Sequence, residues 1–557
     1  MDRSAFLKSN ILSSPHGHSI LEEEPPPPNG GLTAYSGGWT ENEVIHLLKR
    51  TLFGACRTDI DYFKARSFQQ SISELLNPVA PLPDPPVKEY TPTGAAMPDT
   101  LIPQGSTWIL DPSTDGTVNS LRAASFKKWW MGVMINQDRS LREKMTLFWH
   151  NHFSTETGVV GNAQFVYKHH LLLRTYALGN FKSLTRAVTI DPAMLVYLNG
   201  ERNTKSAPDE NYGRELQELF CCGKSPDSQY TESDVRTAAQ VLTGWRNDTQ
   251  AISAYFDSTR HATGNKQFSA FYNNTIIQGK SGPTAGDEEL DALMDMIFAT
   301  QEVAKYICRR IYRWFVYYDI DATVEANIIS PLADIFRANN YEIKPVLNVL
   351  LRSEHFFDVL TKGCQIKSPV DLVVGTCREL NVAFQPPADY VTNYGFYSYL
   401  VNWTANMQQN IGDPPDVSGW KAYYQAPQFY EVWINSDTLP KRNQFTDTLV
   451  QNGYTFNGKR LQIDAAAFVQ TLSNPGDPNQ LIDDILKIIF RIDISAASKI
   501  QLKTDILLGG QSTDYYWTDA WNLYISTPGN TANTNTVKTR LRDLLKYFMD
   551  LSEYQLA

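Results

Sequence analysis

The chain has 557 residues, 42% hydrophobic and 20% charged, the composition of a globular protein. Its net charge of −10 and the lack of a long basic stripe argue against nucleic acid as a partner. No run of about 18 apolar residues occurs, so no membrane span is expected; the N-terminus also lacks the apolar stretch of a signal peptide, which leaves a cytoplasmic location as the default expectation.

In chain order, residues 1–38 read as a flexible Pro-rich tail, because EEEPPPPNGG (Glu22 to Gly31) cannot be helical. Order is expected from Trp39, where Thr40 and Glu43 form a capping box ahead of VIHLLKRTLF. A second helix follows around Asp59 to Leu76. Residues 78–116, rich in Pro, Gly and Thr, read as a long surface strap. Helical periodicity then runs from Val118 to Leu242, with breaks at Gly179-Asn180, Asp191-Pro192 and Gly200 to Pro208. Ser140 and Glu143 suggest a second capping box. Residues 246–285 are polar and irregular, with a minor hairpin near 250–280. Helices are expected near 287–299, 301–317, 323–338 and 343–352, and another begins at Lys367-Ser368-Pro369 with Pro near its first position. A loop spans 407–445, and residues 465–554 return to helical spacing. The expected fold is all-α: a helical core over 39–445 carrying the motifs, and a C-terminal helical subdomain over 446–557 packed on it. No Gly-rich phosphate loop follows a strand.

Of nine histidines, two end the segment LREKMTLFWHNHF, Leu141 to Phe153. At 100° per residue, Leu141, Met145, Phe148, Trp149 and His152 share one stripe, and His150 lies almost opposite. Both imidazoles can meet one metal only if the helix ends between them. As plain structure, His152 is a core histidine and His150 a polar one.

PDENYGRELQELF, Pro208 to Phe220, places Glu215 beside an apolar face with Glu218 three residues on. Carboxylates at this spacing, facing histidines from another helix, are how helical metal sites are built. The alternative is a salt-bridged flank in which Arg214 pairs with Glu218. In RHATGNK, Arg260, His261 and Lys266 offer a third imidazole and anion-binding cations, or an exposed loop. The six cysteines form no CxxC pair and read as thiols in a reducing compartment. Aromatics reach 12%, which fits a large core or a flat-ligand surface.

These motifs carry a resemblance. FWHNHF, ALGNF, DPAMLVYLNG, ENYGRELQELF, YTESDV, VLTGW, HATGNK, KSPVDL and PPDVSGW followed by WINSDTLPKR stand in the order found in the large bacterial family called domain of unknown function 1800, over about residues 45 to 445. The stretch YRWFVYYDID is similar to members from Bacteroidetes. Two departures stand out: Ala262 replaces an Asp of the family's loop, and Cys221-Cys222 replace Thr-Leu. The resemblance implies a largely helical fold, no established reaction, and a weak link to a sulfatase-like neighbouring family as partner.

Two functions are therefore expected. One is an enzyme with a His/carboxylate centre acting on an anionic or polar substrate. His150, Glu215 and His261 would be catalytic, and His150, His152, Glu215 and Glu218 would be ligands suited to Fe, Mn or Zn. Arg214, Arg260 and Lys266 would hold the substrate. The other is a non-catalytic binding or assembly protein whose motifs determine the fold.

Overall fold

The structure, a computed structural model, describes residues 30–90, 99 and 102–557. Helices take up 57% of the chain and strands 5%, so the fold is mostly helical, as the periodicity predicts. The strands form two-stranded antiparallel ladders. Trp245–Asp248 pairs with Ser253–Phe256, and Lys266–Gln267 with Ile276–Ile277, which supplies the expected hairpin region. A further ladder, Tyr454–Phe456 with Lys459–Leu461, is turned by Asn457-Gly458, both at positive φ. That Asn-Gly pair is a hairpin signal the helical reading passed over.

The Arg142–His152 helix lies at the centre of the body, with every residue after Arg142 buried. A helix buried on all sides must be apolar or have its polar groups satisfied. This one takes the second route: Lys144 pairs with Asp371, and Glu143 receives two hydrogen bonds from Arg174 at 2.8 and 2.6 Å. Because Glu143 is committed to Arg174, it does not complete a capping box. Leu141 is the N-cap, without a side-chain bond. The first capping box, Thr40 with Glu43, forms as the sequence predicts.

The Gly116–Ile135 and Tyr390–Asn406 helices pack side by side. At Gly132 the approach is so close that a Cβ would sit 2.5 Å from the Tyr397 ring. Thr438–Gln451 packs on Thr531–Asp550, which buries Leu541, Leu544, Leu545 and Phe548.

Both described ends of the chain are tied to the body. The sequence reading begins order at Trp39, but contacts begin at Gly30. The Tyr35 N–H donates to the Arg352 carbonyl at 2.7 Å, and the Glu354 N–H to the Thr33 carbonyl at 2.8 Å. At the other end, Leu556 bridges to Ile366, and the Lys367 N–H donates to the Gln555 carbonyl at 2.8 Å.

Candidate functional site

Of the residues expected to form a His/carboxylate centre, His150, His152, Glu218 and His261 each have a partner of their own elsewhere. His150 Nε2 accepts the Gly412 N–H at 3.2 Å, and its ring stands edge-on to Trp130. Burial, then the charge of His169, push its pKa down to about 3. An acceptor at Nε2 requires the neutral ring, in agreement. His152 turns to the other side of the helix, where Nε2 donates to the Phe220 carbonyl at 3.0 Å. Burial, then Arg310, hold it well below the usual histidine range.

Glu215 and Glu218 sit where an α-helix, Asn211–Glu215, passes into a π-helix, Leu216–Cys221. The wider turn is closed by the Cys222 N–H donating to the Gln217 carbonyl at 2.8 Å. Burial, then the charge of Glu218, raise the Glu215 pKa. Glu218 pairs with Lys224, so the expected pairing with Arg214 gives way. Arg214 instead grips both oxygens of Glu232, at 2.7 and 2.8 Å, on the surface.

The RHATGNK loop is exposed at Arg260 and from Thr263 to Asn265, and only its His261 and Lys266 turn inward, away from the other two histidines. His261 and Lys266, each 1% exposed, converge on Glu289, which the sequence reading missed. His261 Nε2 lies 3.1 Å from Glu289 Oε1, and Lys266 Nζ lies 2.5 Å from Oε2. Burial raises the Glu289 carboxyl, but His261 and Lys266 outweigh it, and the net shift is downward. Arg260 stays on the surface against Asp257. Among the described residues no three His, Cys, Asp or Glu side chains gather as metal ligands. The expected metal centre of His150, His152, Glu215 and Glu218 is therefore not assembled. The ligand types suit a metal, but His152 is committed to a carbonyl, His150 to an N–H and Glu218 to Lys224.

A different convergence does occur. A cavity of about 40 Å³ is lined from several distant segments: Lys49 and Arg50, Lys144, Arg313, Lys367 and Asp371, and Tyr423 to Trp433. That is room for about three waters. Of its lining side chains, five are cationic and Asp371 alone is anionic. Lys49 pairs with Glu379, and Lys144 with Asp371. Arg50 donates to Gln365 Oε1 at 2.5 Å and to the Thr361 carbonyl at 2.6 Å. Arg313 Nε donates to the Tyr318 carbonyl at 3.1 Å.

Lys367 differs from the other two lysines. It is 6% exposed, and among the described residues no carboxylate lies within ion-pairing distance of its ammonium. Its Nζ sits 4.0 Å from the centre of the Tyr554 ring, a contact that favours the charged form by about 2 kcal/mol when desolvated. Burial, then the charge of Lys49, still push its pKa down to about 7. Burial likewise draws Arg313 down to about 10. The position is fixed by Pro369 at the helix start and by Ser368, whose Oγ caps the helix by accepting the Asp371 N–H at 3.1 Å.

The histidine helix serves this cavity indirectly. It contributes Lys144 to the wall, while His150 and Asn151 hold the loop at Gly412 and Trp420 that leads into the aromatic wall. KSPVDL, YRWFVYYDID and the loop after PPDVSGW thus meet around one space. Sequence reading found each of these segments but had no signal for their contact.

The fold is that of a mostly helical protein. The family described as "Protein of unknown function (DUF1800)" matches residues 46–556, and the chain belongs to it. No curated protein and no solved structure matches the chain. Among the described residues, no helix is long and apolar enough to cross a membrane.

Proposed function

We propose that the protein binds a small anion in the cavity at Lys367. The observation that carries this reading is a buried lysine that, among the described residues, has no carboxylate partner, in a cavity whose charged lining side chains are five cations and one acid. A buried charge is costly unless it is paired, and an incoming anion supplies the missing partner. The anionic substrate expected from sequence is kept, and its seat moves from Arg214, Arg260 and Lys266 to Lys367 and Arg313. The cavity size limits the ligand, or the part of it that enters, to a few heavy atoms.

The role of the family motifs as fold determinants is compatible with this reading. One observation favours it: His150 and Asn151 spend their polar atoms on the backbone of the Gly412 to Trp420 loop.

The test is thermal unfolding in nitrate against gluconate at equal ionic strength, gluconate being too large to enter whole. A ligand that binds only the folded state raises the midpoint with its concentration. Nitrate is expected to raise it in the natural protein and to have no such effect in Lys367→Met. Equal midpoints in both salts for the natural protein would overturn the reading.

A further inference from the structure

We propose that Lys367 is a carboxylation site, whose amine takes up dissolved carbon dioxide as a carbamate that becomes the anion of the cavity. This rests on the reading of the cavity as an anion site and names the anion.

Size is the first argument. A carbamate adds one carbon and two oxygens to Nζ, and the cavity of about 40 Å³ has room for about three water-sized atoms. Only a small group fits in the enclosed space beside the amine.

Charge is the second. Carboxylation turns Lys367 from a cation into an anion, so the charged side chains of the lining change from five cations and one acid to four cations and two anions. Lys49 and Lys144 already have Glu379 and Asp371 as partners. Arg50 and Arg313 have hydrogen bonds to an amide oxygen and to carbonyls, but among the described residues no ion pair. Their guanidinium groups are the natural counterions for a carbamate.

Reactivity is the third. Only the unprotonated amine attacks carbon dioxide. The same surroundings that make an ammonium costly at Lys367, namely burial and the charges of Lys49 and Arg442, stabilise a negative product. Glu379 and Asp371 act in the opposite sense but are each drawn toward another lysine. In the step itself the Nζ lone pair forms a bond to the carbon of carbon dioxide, one C=O π pair moves onto oxygen, and the proton released from nitrogen passes to water. No oxidant or reductant takes part.

Two measurements test the proposal on the full chain. Carbon NMR of the protein equilibrated with isotopically enriched bicarbonate at about pH 8, where a lysine so shifted is largely unprotonated, is expected to show one protein carbamate signal. The signal is expected to vanish in Lys367→Arg and in Lys367→Gln. Trapping with trimethyloxonium, followed by peptide mass spectrometry on the natural protein, is expected to place a methyl carbamate on Lys367 and needs no variant to fold. Folded protein that gives neither signal nor adduct, or an adduct on another lysine alone, overturns the proposal. If nitrate still stabilises that protein, carboxylation alone falls. If the nitrate effect is also missing, in buffer stripped of carbon dioxide, the anion site falls with it.

Discussion

The side-chain oxygen of Asn151 accepts the backbone N–H of Trp420 at 2.9 Å, 269 positions further along the chain. Beside it, Gly419 has φ +88°, and a Cβ there would meet the Asn151 carbonyl and side-chain oxygens at 2.3 Å. Asn151 and Gly419 therefore form a lock between the histidine helix and the loop.

Asn151→Ala leaves a buried N–H without its acceptor and is expected to cost about 1–3 kcal/mol. Gly419→Ala is expected to cost more, because it combines a backbone clash with an unfavourable φ. Urea unfolding monitored by tryptophan fluorescence ranks them. A Gly419→Ala protein as stable as the natural one would contradict the lock.

Glu289 joins His261, which the sequence suggests as catalytic, to Lys266, which it suggests as substrate-binding. Glu289→Ala strands Lys266 and His261 in the interior and is expected to destabilise the fold by about 3–5 kcal/mol. Its stability contribution has a defined pH sense. The folded carboxyl lies below its ordinary value, so the contribution is full above about pH 4.5 and is lost as pH falls through the folded value. Acid titration of unfolding free energy, natural protein against Glu289→Gln, should show that part of the slope disappear.

Five histidines, His46, His150, His152, His170 and His355, are buried with pKa values pushed down first of all by burial. In the unfolded chain they take up protons below about pH 6.5. The unfolded state then binds more protons, so stability is full above that value and declines as pH falls below it. His170 offers the cleanest check, since neither ring nitrogen has a partner and the ring packs 4.2 Å from Trp130. His170→Phe is expected to flatten the decline between about pH 6.5 and 5 without loss of stability at neutral pH. An unchanged slope would show that this ring does not titrate on unfolding.

Arg214 tests the surface reading. Its pairs with Glu232 and Glu210 are solvent-exposed, and Arg214→Ala is expected to cost about 1 kcal/mol or less. It should also leave nitrate stabilisation intact, which the same thermal assay reads directly.

What was legible in the sequence was local. The Thr40–Glu43 cap, Pro369 at a helix start and the period of the buried faces are all written within a few residues of each other. The two-sidedness of the histidine helix was also legible: His152 reaches Phe220 on one side and His150 reaches Gly412 on the other. The partners were not legible. Nothing near His261 in sequence announces Glu289, which lies on the Ala285–Phe298 helix. The π-turn after Glu215 was hidden too, because its i to i−5 bond depends on packing, not on a residue type. Lys367 was read only as part of a helix start, since a lysine in sequence carries no mark of burial.

The cavity draws on residues 49, 144, 313, 367 and 430, so no contiguous stretch of the chain contains it. It exists only as a product of closure. Expressing 39–445 alone would remove Tyr554, whose ring lies against Lys367, and Gln555, which receives its N–H. A function seated there could not be moved to another protein as a cassette, and it would act as a checkpoint on assembly, present in the finished molecule and absent from every partial one.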